Sequence, residues 1–134
     1  MSLRCFIAVG LPPEVVRALC EAQEALRAAM GGVVVKWSRP SGMHLTLRFL
    51  GDIREDTIPA LEGALGPACA VASPFDLALD GLGAFPSARR ARVIWAGIGG
   101  DTACLGRLVA AVNAAVGHLV PGGEARDFVP HLTL

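Results

Sequence analysis

The 134-residue sequence predicts one domain that mixes strands and helices, and two observations carry the prediction. Short apolar runs rich in β-branched residues alternate with longer stretches whose apolar positions recur at helical spacing. The alternation also repeats itself. An apolar strand around Ala8 leads through a helix to His44, and another around Ala96 leads, over nearly the same length of chain, through a helix to His131. Such an echo points to a duplicated strand-helix-strand unit.

Each element follows from local chemistry. Cys5–Val9 reads as a buried strand, ended by Gly10 and Pro12. Pro12, Pro13 and Glu14 then open a helix, since proline is tolerated in a first turn and glutamate complements the positive helix end. Val15, Leu19, Ala22, Leu26 and Met30 give it one apolar face, and Gly31-Gly32 ends it. Val33–Ser38 and Met43–Leu50 read as strands around the turn Arg39-Pro40-Ser41-Gly42. A second helix is expected over Asp56–Ala72, with Ile58, Leu61, Leu65 and Ala68 inward. Phe75–Leu79 alternates as a strand with Phe75, Leu77 and Leu79 on one face. The Gly/Pro/Ser/Arg-rich stretch Gly81–Arg90 reads as a loop, and Val93–Gly97 as a strand. A third helix follows, with Leu105, Leu108, Val109, Val112 and Val116 inward. Pro121-Gly122-Gly123 ends it, and Phe128–Leu134 forms a last strand.

Composition narrows the function. The formal net charge is zero and Lys36 is the only lysine, so no polybasic surface for long duplex nucleic acid is expected. A small ligand or the end of an RNA remains compatible. Cys5, Cys20, Cys69 and Cys104 are far apart with no CxxC pair, which argues against a zinc cluster or a disulfide scaffold. Reduced, partly buried thiols and a cytoplasmic location are expected. No signal peptide is visible. The apolar stretch Ala103–Val120 contains Arg107, Asn113 and His118, so it reads as an amphipathic helix and not as a membrane span.

The sharpest feature is a repeated tetrapeptide. Three histidines and four threonines occur in the chain, and two of each fall in His44-Leu45-Thr46-Leu47 and His131-Leu132-Thr133-Leu134. Side chains alternate along a strand, so His and Thr point one way while the leucines anchor the strand in the core. Imidazole titrates near neutral pH. A neutral one can take a proton from water while a protonated one gives a proton to a leaving oxygen. Phosphodiester cleavage needs both acts, and the threonine hydroxyls can hold the non-bridging phosphate oxygens. No HExxH or equivalent carboxylate spacing accompanies either histidine, so no metal is expected. Asp52, Glu124 and Asp127 read as turn or cap residues. His118, near the end of the third helix, reads as a structural or surface residue.

Paired His-x-Thr-x motifs define the 2H phosphoesterase superfamily, and the chain resembles its RNA 2',3'-cyclic phosphodiesterases, once called 2'-5' RNA ligases (LigT-like). The resemblance rests on His44-Leu45-Thr46-Leu47-Arg48-Phe49-Leu50-Gly51 and on Phe128-Val129-Pro130-His131-Leu132-Thr133-Leu134. Arg4–Ala8, Gly83-Ala84-Phe85-Pro86 and Arg92–Gly97 fit as well. It implies a bilobal α+β fold, with two pseudo-symmetric antiparallel sheets and outer helices around a central groove. It implies hydrolysis of RNA 2',3'-cyclic phosphate ends to 2'-phosphates without metal or other cofactor. His44 would be the proton donor and His131 the proton acceptor, with Thr46 and Thr133 on the phosphate. Reversal would join a 5'-hydroxyl to the cyclic end in a 2'-5' bond. The implied partners are RNA ends or nucleotides bearing 2',3'-cyclic phosphate, with no membrane and no obligate protein partner. Residues 1–134 form a single domain on this reading. The arginine that family members carry shortly after the second motif, and the strands that follow it, are absent from it.

Other residues are open to two readings each. Arg48 follows Thr46 on the strand and either neutralises phosphate charge or is a solvated surface residue. Arg89, Arg90 and Arg92 either meet RNA backbone or belong to a solvated loop. Trp37, Phe49 and Phe128 either stack on a base or fill core positions, and strand alternation favours the core. Two rival functions also stay open: a non-catalytic module for RNA ends or nucleotides, and a cyclic phosphodiesterase acting on small nucleotides.

Overall fold

The computed structural model describes residues 1–31, 36–70, 72–85, 93–120 and 131–134, without the side chains of residues 84, 85, 93 and 131. Among them, five strands and three α-helices form two sheets: β1 (Ser2–Gly10) beside β2 (His44–Arg54), and a three-stranded sheet in the order β3 (Leu77–Phe85), β4 (Val93–Gly100), β5 (His131–Thr133). The helices are α1 (Pro13–Met30), α2 (Ile58–Ala70) and α3 (Thr102–Val116). The fold class is α+β. The duplicated order is visible in the topology: β1-α1-β2 and β4-α3-β5 each place a histidine strand next to the strand that precedes the intervening helix.

The chain divides into two compact units, and the division falls inside strands. One comprises Met1–Ala8, Thr46–Ala78 and Gly99–Val129; the other comprises Val9–Leu45, Leu79–Ile98 and Pro130–Leu134. In the first unit Ile53, Leu61, Val116 and Val120 are buried together, with Ile7, Leu50 and Leu65 packed against them. The expected inward face of the third helix is realised: Leu105, Val109, Val112 and Val116 are buried, and Leu108 is half-buried. The second unit buries Leu19, Met43, Leu45, Ala96, Leu132 and Leu134.

Helix α1 has the bounds its sequence predicts, Pro13 at the start and Gly31 after the end, where φ is 62°. Other boundaries move. Lys36–Ser38 carries no strand, and Gly32–Val35 lies outside the described residues. The second helix starts with a 3-10 turn, Glu55–Thr57, and contains Pro67. The strand expected at Phe75–Leu79 begins at Leu77, and the predicted loop is strand as far as Phe85. A Cβ on Gly83 would run into the indole of Trp95, so this glycine makes room for a neighbouring strand's side chain. Of the Phe75/Leu77/Leu79 set, Leu77 and Leu79 are exposed and Phe75 is half-buried. Ahead of the strand, Asp76 is held from both sides: its N–H donates to Asp101 Oδ2 at 3.0 Å and its carbonyl accepts from the Asp101 N–H at 2.9 Å. Asp101, at the N-cap of α3, thereby gives its carboxylate to another segment and not to its own helix.

Candidate active site

The first histidine tetrapeptide opens β2. Leu45 and Leu47 are 4% and 6% exposed, while His44 and Thr46 are half-buried between them. The second tetrapeptide is built the same way around β5, with Leu132 and Leu134 at 2% and 3% and Thr133 exposed. In both copies the leucines anchor and the intervening threonine keeps access to solvent. Burying four leucine side chains contributes on the order of 1.5–3 kcal/mol each, which anchors both short segments. His44 and the backbone of His131 belong to the same compact unit, as do Leu45, Thr133 and all of α1. Thr46 and Arg48 continue along β2 into the other unit.

Strand β5 is held by its register on β4, antiparallel, with Trp95 opposite Thr133, Ala96 opposite Leu132 and Gly97 opposite His131. Beyond the pairing, the Leu134 N–H donates to the Ile94 carbonyl at 2.9 Å. Gly97 has a strict reason to be glycine: a Cβ there would strike the main-chain oxygen of Asp80 on β3. The backbone facing His131 is therefore placed by a close approach that any side chain at 97 would spoil.

Two polar residues make contacts with no local signal in the sequence, because their partners are remote. Gln23 on α1 is 6% exposed, and its Nε2 donates to the carbonyl of Ser38 at 2.9 Å and to the main-chain oxygen of Leu134 at 3.2 Å. The Ser38 N–H donates to the same Leu134 oxygen at 2.7 Å. Asn113 on α3 accepts from Arg48 Nη1 at 2.8 Å. Of the two readings of Arg48, the solvated surface residue is thus replaced by a half-buried, anchored one; one of its five N–H donors serves Asn113.

The aromatic candidates separate. Phe49 is 74% exposed, which overturns its expected core position. Burial on β2 loses its phase after Leu47: Leu50 and Ile53 turn to the core, and Phe49 rests on Phe6 with ring centroids 6.2 Å apart. Trp37 is half-buried, with the Arg27 guanidinium 5.9 Å from its ring centroid. Phe128, Glu124, Asp127, Arg89, Arg90 and Arg92 lie outside the described residues. His118 is exposed, just past the end of α3. Cys5, Cys20 and Cys104 are half-buried thiols as expected, whereas Cys69 is exposed. A cavity of about 320 Å³ lies at the C-terminal end of α2, walled by Pro74, Phe75, Cys104, Arg107 and Leu108; none of the predicted site residues lines it. No helix among the described residues is long and apolar enough to cross a membrane.

Comparison with known proteins agrees with this architecture. A family model described as LigT like Phosphoesterase matches residues 9–95. An RNA 2',3'-cyclic phosphodiesterase of Methanothermobacter thermautotrophicus is 30% identical over 136 residues, covering 100% of this chain and 71% of that protein. Its namesake in Thermus thermophilus is 37% identical over 140 residues, covering 98% and 67%. The Aquifex aeolicus protein of the same name is 36% identical over 105 residues, and there the match spans 55% of the relative's length. Among solved structures, a Thermus thermophilus protein superposes with a TM-score of 0.77 at 34% identity, covering 98% of this chain and 73% of that one. Escherichia coli LigT in apo form gives 0.76 at 25% identity, covering 99% and 71%. The chain belongs to the LigT-like phosphoesterase family.

Proposed function

We propose that this chain hydrolyses 2',3'-cyclic phosphate ends of RNA to 2'-phosphates, with His44 and His131 as an acid-base pair. The observation that carries the proposal is the duplicated tetrapeptide, seated twice on a strand with its leucines buried. Curated relatives that carry the phosphodiesterase name, matched over nearly the whole of this chain, support it.

The chemistry balances in one in-line displacement. Neutral His131 takes a proton from water as the water oxygen bonds to phosphorus. The bond from phosphorus to the 3'-oxygen breaks, and protonated His44 gives that oxygen its proton. The product carries a 2'-phosphate and a free 3'-hydroxyl. The Thr46 and Thr133 hydroxyls donate to the non-bridging oxygens as charge builds on them, and Arg48 balances that charge. Replacing water by a 5'-hydroxyl turns the same chemistry into 2'-5' ligation.

The test uses an oligoribonucleotide ending in 2',3'-cyclic phosphate beside adenosine 2',3'-cyclic phosphate, with product position read by NMR. We expect a 2'-phosphate, undiminished turnover in EDTA, and a bell-shaped dependence of kcat/KM on pH, because one imidazole must be charged and the other neutral. His44→Ala and His131→Ala should each lower kcat by about 10²–10⁴-fold while the protein stays folded. Loss of turnover in EDTA, or full activity in either variant, refutes the mechanism. Binding of a 2'-phosphorylated nucleotide without any turnover favours the non-catalytic module, and a preference for the mononucleotide favours a small-nucleotide substrate.

A further inference from the structure

We propose that Gln23 is a positioning residue for the histidine pair, an inference that rests on the hydrolase reading above. The side chain lies in the face of α1 that also buries Leu19, one helical turn earlier. Methionine or leucine would fill the same volume without desolvating an amide, whose burial is unfavourable unless its hydrogen bonds are replaced. Here they are replaced. The two donors of the amide serve two main-chain oxygens, Ser38 at 2.9 Å and Leu134 at 3.2 Å.

Those two oxygens belong to the segments that carry the histidines. Ser38 leads to His44 through a short stiff passage: a 3-10 turn over Pro40–Gly42, closed by the Gly42 N–H to the Arg39 carbonyl at 2.9 Å, then buried Met43. Leu134 follows Thr133 directly and is itself pinned by its N–H to Ile94. The Leu134 oxygen accepts from both Gln23 and the Ser38 N–H, so both of its lone pairs are used. One side chain on one helix thus sets the spacing between a segment entering the first motif and a segment leaving the second. All of these groups lie in one compact unit. Apolar packing of the leucines holds each motif to the core but tolerates small slides; a hydrogen bond with fixed length and direction does not. Displacements of about 1 Å caused by distant changes can lower a rate by around 10²-fold.

The test compares the unmodified chain with Gln23→Met, which keeps length and helix propensity but has no donor, and with Gln23→Asn, which withdraws the donors by one methylene. Leu19→Ala is the control, losing packing on the same face without touching either oxygen. Folding is checked by circular dichroism and turnover is measured on adenosine 2',3'-cyclic phosphate. We expect both Gln23 variants to lose at least tenfold in kcat with KM within twofold, and Leu19→Ala to lose stability but keep kcat per folded molecule. If Gln23→Met does not fold, Gln23→Asn decides. A folded Gln23 variant with unchanged kcat, or one whose loss matches only its unfolded fraction, overturns the proposal and leaves the hydrolase reading standing. Absence of turnover in the unmodified chain overturns the hydrolase reading, and this inference with it.

Discussion

Adding one methyl group at each of two glycines should move stability in opposite directions. At Gly97 the new Cβ meets the Asp80 carbonyl oxygen well inside contact distance, with the Asp80 carbonyl carbon at 3.4 Å and Trp95 Cζ3 at 3.6 Å. The nearest obstacle is main chain, so it cannot rotate aside; β3 or β4 must shift. Forced overpacking of this kind costs about 1–3 kcal/mol. For a chain of this length each kcal/mol moves Tm by roughly 3–5 °C, so Gly97→Ala should melt roughly 3–15 °C lower. At Gly106, inside α3, a Cβ meets nothing within 4 Å. There the methyl only restricts the unfolded chain, and Gly106→Ala should gain roughly 0.5–1 kcal/mol, or about 2–4 °C. Thermal melts followed by circular dichroism at matched concentration read both changes. Because Gly97 faces His131 across the ladder, Gly97→Ala should also lose activity at temperatures where it is fully folded. A Gly97→Ala protein that melts with the unmodified chain, or a Gly106→Ala protein that melts below it, refutes the packing argument.

Two further outcomes follow from single contacts. Asn113→Ala removes the acceptor of a half-buried guanidinium and should cost about 1–2 kcal/mol in urea unfolding, with Arg48→Met in the Asn113→Ala background adding little. Phe49→Ser should change stability by no more than about 0.5 kcal/mol, because the ring is mostly in water; a loss of about 2 kcal/mol would restore the core reading.

Where local chemistry decides the structure, the sequence was legible. Pro13 and Gly31 bound α1 because each acts on its own backbone. The helical spacing of apolar residues in α3 named its buried face because an amphipathic helix shows its core side in its period. The candidate site stood out for a different reason, since a rare residue pattern written twice needs no structure to be noticed. What stayed hidden depends on partners distant in sequence. Gln23 carries no local signal, because its partners Ser38 and Leu134 are distant in sequence. Arg48 stays open between phosphate ligand and solvated surface residue in the sequence, and its anchor Asn113 comes from α3, 65 positions away. Phe49 obeys the alternation that buries Leu45 and Leu47, yet the strand loses that phase just before it, and no local signal marks the change.

The closeness of Gly83 to Trp95 makes two positions on neighbouring strands share one volume. Bulk added at 83 must be taken from 95, so neither position can vary freely while the other is held. Gly83→Ala alone should therefore be poorly tolerated, whereas the same change paired with Trp95→Leu should recover much of the loss, a coupling that a double-mutant cycle would measure. The same exchange predicts which pairs of residues a working variant of this sheet can carry: small with large, in either order, and seldom two large ones.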